Sequence, residues 1–163
     1  MSRPRSPACR RWCCLRGTRE RLRLPIEIVD RVETVGVLAP VPRAPRGLVG
    51  VAEIRGRAVT VLDPRWLAGS SPLEREPPPA PDVRDSLLTL APPFEHLALL
   101  LPSGWTQHVE TEPFAEETVS AAYEAPDGAL DANRLIDLVE RLSEHACDAW
   151  TRVAPARRVD VED

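Results

Sequence analysis

The first sustained apolar run of the chain is Trp12 to Leu15, and leucine then alternates with arginine in Arg21-Leu22-Arg23-Leu24. Period-two alternation places one face of a strand in a core and the other in water. With Gly17-Thr18 between them, the two segments predict a hairpin whose arginines point outward. Pro25 ends regular pairing of the second strand. Ile28 and Val32 stand four apart, a spacing that permits one helical turn, and Val32, Val35 and Val37 suggest a further strand. Three prolines between Pro40 and Gly47 deny the chain ladder donors and predict an extended connection.

The strongest strand patterns are Leu48–Ile54 and Arg57–Leu62, rich in apolar and β-branched residues. Arg55-Gly56 between them has the length of a two-residue hairpin loop, with glycine available for positive φ. Asp63 followed by Pro64 is a capping residue followed by a favoured first helical position, so a short helix should begin there. Trp66 and Leu67 would fold it back on the core, and Gly69 would stop it. "SSPLEREPPPAP", Ser70 to Pro81, resists regular structure and marks an exposed subdomain break near 70–81. Ser86–Leu90 and Leu97–Leu101 read as strands around a turn-like Pro92-Pro93-Phe94-Glu95, and Pro102 should end the second of them. Val109–Glu117 is acidic and predicts no definite element, and its carboxylates from Glu110 to Glu117 read as a solvated face. A last hairpin is expected over 119–130. Asp131 then caps a helix whose apolar residues Leu135, Leu138, Val139, Leu142 and Ala146 recur at helical spacing. The expected class is mainly β, with one short helix near the C-terminus.

Composition changes this picture in few places. A chain of 163 residues fits one domain, or two small subdomains sharing a core, and buries enough surface to need no metal or disulfide staple. Its net charge is -4, yet residues 1–23 hold eight arginines against one acid, Glu20. Residues 1–11 therefore read as a basic arm, 12–150 as the folded domain and 151–163 as a polar tail. A basic arm suits nucleic acid, but only Trp12 interrupts its charges, too few aromatics for a stacking platform. No apolar segment is long enough to span a membrane, and no apolar stretch follows the N-terminal charges as in a signal peptide. A cytoplasmic location is the expectation.

Candidate chemistry is sparse. There is no nucleophile elbow, phosphate loop or dinucleotide fingerprint. His96 and His108 lack an assignable nucleophile and orienting group. Cys9, Cys13, Cys14 and Cys147 form no Cys-x-x-Cys. Cys13 and Cys14, being adjacent, point to opposite strand faces, and His145-Ala-Cys147 supplies too few ligands. The sequence therefore predicts a non-enzyme without metal or cofactor.

One stretch says more. Leu24-Pro25-Ile26, Pro42-Arg-Ala-Pro45, Leu48-Val-Gly50-Val51, Ile54-Arg55-Gly56 and Val61-Leu62-Asp63 follow one another in the order and spacing of the CheW-like domain family, which this segment resembles. Glu53 stands where the family has Asn before Arg-Gly. The second half diverges, with Pro102 following the strand where the family has Val-Asp-x-Val. The resemblance implies two SH3-like barrel subdomains around a shared core. It also implies a non-catalytic adaptor joining chemoreceptor (methyl-accepting chemotaxis protein) cytoplasmic hairpins to the regulatory domain of a CheA-type histidine kinase. On this resemblance the partner-contact residues are Arg55, Gly56, Glu53, Ile54, Val29 and Arg31. The divergent half implies a weaker kinase contact. The plainer alternative for Arg55 is a surface ion pair with a nearby acid such as Glu53, worth about 0–1 kcal/mol.

Overall fold

The computed structural model describes residues 9–18, 20–42, 44, 47–67, 81–113, 135–137 and 139–141. The arm through residue 8, the proline-rich segment from 68 to 80, the hairpin expected over 119–130, the Asp131 cap, Cys147 and the 151–163 tail lie outside these residues.

The opening hairpin forms as expected, from β1 (Cys9–Arg16) and β2 (Arg21–Pro25). Pro25 remains within β2, opposite Trp12. A 3-10 turn, Ile26–Ile28, leads into β3 (Val29–Thr34) and the short β4 (Leu38–Ala39). The second hairpin is β5 (Leu48–Ile54) and β6 (Arg57–Leu62), paired in antiparallel register from Ile54↔Arg57 to Leu48↔Leu62. Helix α1 (Pro64–Leu67) follows, and Asp63 Oδ1 accepts the Arg65 amide at 2.9 Å as its cap. Strands β7 (Ser86–Leu90) and β8 (Leu97–Leu101) stand at the boundaries read from sequence, and β8 stops before Pro102. A ninth strand, β9 (Thr106–Pro113), occupies part of the segment read as a solvated acidic face. Residues 135–137 and 139–141 are helical, with Leu135 fully buried.

These strands make two sheets. One is three-stranded, β2-β1-β9; the other is six-stranded, β3-β7-β8-β6-β5-β4. All pairings are antiparallel except β6 with β8. The fold is mainly β, as expected, but it is built from sheets rather than closed barrels: the edge strands β3 and β4 do not pair with each other among the described residues. Strands before and after 68–80 share both sheets, through β1–β9, β3–β7 and β6–β8.

Two cores lie on opposite faces of the larger sheet. Leu62, Leu88, Leu90, Leu97, Leu99 and Leu101 meet Cys13, Leu15, Leu22 and Leu24 of the smaller sheet. Ala52, Val59, Val61, Leu87, Ala98 and Leu100 point the other way, with Val35, Leu38, Val49 and Ile54 packed over them. Strand β8 is therefore buried on both faces, which is why its sequence, LALLL, shows no alternation.

The expectation that the arginines of the first hairpin all face water is corrected at Arg23, which is 9% exposed. It lies on the face of the smaller sheet opposite the core, where Trp12 and Cys14 are also buried. Its guanidinium sits 5.0 Å from the Trp12 ring centroid and 3.4–3.5 Å from Glu110 and Glu112. Acids on β9 give it partners that no local pattern supplies.

Candidate functional site

The turn of the β5–β6 hairpin is built from two left-handed residues, Arg55 at φ 53° and Gly56 at φ 75°. Positive φ at both central positions is the type I′ requirement, which suits the right-handed twist of the flanking strands. Glycine meets it without cost. Arginine does not, because its Cβ crowds the following carbonyl, at roughly 1–2 kcal/mol. Asn-Gly is the pair that such a turn favours on folding grounds.

From this tip Arg55 reaches across the mouth of the curled six-stranded sheet to β3. One of its terminal nitrogens lies 3.0 Å from Glu33 Oε1, and Glu33, not Glu53, is its acid partner. The contact is ionic and not a well-aligned hydrogen bond, for Glu33 Oε1 accepts none. The Arg55 side chain remains 61% exposed. Its planar fork of donors is thus held in place and left facing solvent, suited to a bidentate grip on a carboxylate.

Strand β3 contributes the rest of the cluster. A register irregularity between Val29 and Arg31 lets the consecutive side chains of Asp30 and Arg31 both reach the surface. Arg31 donates to both Asp30 oxygens, at 2.8 and 3.3 Å, and its Nε lies 3.9 Å from Glu33. The Thr89 hydroxyl donates to the Arg31 carbonyl at 3.1 Å and pins the bulge to β7. The hydrogen bond from Arg31 lowers the Asp30 pKa below its usual range, and the charge of Arg55 adds to the effect.

Of the six residues singled out from sequence, the structure brings Arg55 and Arg31 together around Glu33. Gly56 completes the turn. Ile54, half-buried, packs against the second core beneath it. Val29 packs instead against the first core, opposite Leu90. Glu53 is exposed on β5 opposite Ala58. Sequence reasoning missed Glu33 and Asp30, because only the curl of the sheet carries β3 to the hairpin tip.

No family model matches the chain, and no curated protein sequence matches it. Among solved structures, it is similar to the scaffolding protein CheW of Thermoanaerobacter tengcongensis. The two are 17% identical, the match covers 74% of each chain, and the TM-score is 0.49.

Proposed function

We propose that this chain is a non-catalytic cytoplasmic adaptor of the CheW type, coupling a chemoreceptor's cytoplasmic hairpin to a CheA-type histidine kinase. Arg55 is its principal contact, flanked by Arg31 and Gly56. The observation that carries this reading is an arginine kept at a left-handed turn position where it opposes folding. Strained residues concentrate where a side chain serves binding. The motif order from Leu24 to Asp63 supports the family, and the exposed, ion-tethered guanidinium supports the role.

The test is Arg55→Glu, with purified receptor and kinase regulatory fragments titrated separately. Partner binding should weaken at least tenfold, about 1.4 kcal/mol, and the thermal midpoint should stay nearly unchanged. Arg55→Ala should lose less, since the reversal adds like-charge repulsion against a partner carboxylate. Normal binding by a folded Arg55→Glu would place the partner surface elsewhere.

Within the same class, β8 ending at Leu101 before Pro102 favours a receptor contact stronger than the kinase contact. Equal affinities for the two fragments would sink that version. Three arginines near the start of the chain are engaged within the fold. Arg21 and Arg23 pair with Glu110, and Arg10 stacks on Trp12 at 4.6 Å.

A further inference from the structure

On the outer face of the three-stranded sheet, Cys14 of β1 lies directly opposite His108 of β9. Glu110 is two residues further along β9 on the same face, beside Trp12. Directly opposed positions of an antiparallel pair hold their Cβ atoms about 4.5–5.5 Å apart, and diagonal positions stay within reach of long side chains. Here one ligand atom from each residue, a thiol sulfur, an imidazole nitrogen and a carboxylate oxygen, lies within 4.8 Å of both others. His108 Nε2 is 2.8 Å from Glu110 Oε1. Donors bound tetrahedrally at about 2.0–2.3 Å stand roughly 3.3–3.8 Å apart, so small side-chain rotations convert the cluster into three ligands of one ion. We propose that Cys14, His108 and Glu110 form a site for a borderline-soft divalent cation, zinc in the first instance, with its fourth position open to water.

The surroundings select among metals. Arg21 and Arg23 each place a guanidinium nitrogen 3.4 Å from Glu110, and Glu112 lies 3.5 Å from Arg23. Two cations so close oppose a hard ion held mainly by charge, such as calcium or magnesium. A thiolate and an imidazole bind zinc with covalent character that these metals do not share. Arg21 hydrogen-bonds the ligating carboxylate and Arg23 pairs with it ionically, orienting it as outer partners of metal sites do. Cys14 is fully buried, but His108 and Glu110 are 43% and 31% exposed, so an ion enters from their side. On binding, the Cys14 thiol proton passes to solvent. Cys13, next in the chain, is excluded: it faces the core and accepts a hydrogen bond from Gln107. The cysteine and histidine spacings that argue against a metal concern neighbours in sequence; this cluster forms across two paired strands.

The test uses the full chain, reduced and stripped with chelator, titrated with cobalt(II) and then zinc. Wild type should bind one equivalent of cobalt with a thiolate-to-metal charge-transfer band that zinc bleaches. The band should vanish in Cys14→Ser and persist in Cys9→Ser. His108→Ala, at a partly exposed position on β9, should bind zinc at least tenfold more weakly and settles the matter if Cys14→Ser fails to fold. No band in wild type, a band surviving in Cys14→Ser, or unchanged zinc affinity in His108→Ala would overturn the proposal.

Discussion

Arg55 shows how a single residue can be read from what it costs. Asparagine at the same place adopts the left-handed conformation readily, and the ion pair lost with Glu33 is a partly exposed contact worth about 0–1 kcal/mol. Arg55→Asn should therefore raise the thermal midpoint by roughly 2 °C, since about 1 kcal/mol moves a domain of this size by ~2–4 °C. Partner binding should fall in the same variant. A lower midpoint would mean that Arg55 stabilises the fold and that its position needs no functional explanation. Glu110 offers a second test at this scale. The His108 hydrogen bond first, then contacts from Cys14, Arg23 and Arg21, hold its pKa down at about 2 from the usual 4.5. A depressed carboxyl pKa stabilises the folded state above the unfolded value, and that stabilisation is lost as pH falls from 4.5 towards 2. With chelator present, the midpoint of wild type should drop through this window more steeply than that of Glu110→Gln.

Among the strands, close approach decides more than propensity. Gly50 lies in β5 beside the end of its antiparallel partner β4, and a Cβ there would sit 2.6 Å from the Ala39 carbonyl oxygen. That oxygen belongs to backbone and cannot rotate away. Gly50→Ala should cost about 1–3 kcal/mol, in line with overpacking elsewhere, and free β4 from the sheet edge. A shift in the urea midpoint, with faster amide exchange in β4, would show it; an unchanged midpoint would mean that the edge adjusts freely. Strand β9 makes the complementary point. Its described side chains are mostly exposed, so it has no buried face to advertise. Its backbone pairing with β1, from Cys9↔Pro113 to Arg16↔Thr106, makes it a strand.

For the molecule as a whole, the interlacing of the two halves is the governing feature. The parallel β6–β8 pair and the β1–β9 and β3–β7 pairs all join residues from either side of the proline-rich segment. The first core likewise mixes Leu15, Leu22 and Leu62 with Leu88, Leu99 and Leu135. Halves produced separately, cut within 70–80, should each lack cooperative unfolding, because neither encloses a complete core. Mixed together they should recover it. Cooperative melting of either half alone would make the proline-rich segment a true domain boundary.

What the sequence determined by itself was local: the β5–β6 hairpin, the Asp63-Pro64 helix start, the limits of β7 and β8, and the stop at Pro102. Each follows from residues within a few positions of one another, through period-two alternation, turn chemistry or a missing donor. Long-range pairing was decided only by the tertiary structure. It set Glu33 under Arg55, buried Arg23 between Trp12 and the acids of β9, and placed Cys14 opposite His108. The physical reason is that the backbone ladder joining two strands is almost blind to side-chain identity. Which distant strands pair depends on how all the apolar faces are buried at once, and polar residues then inherit partners that no local pattern names.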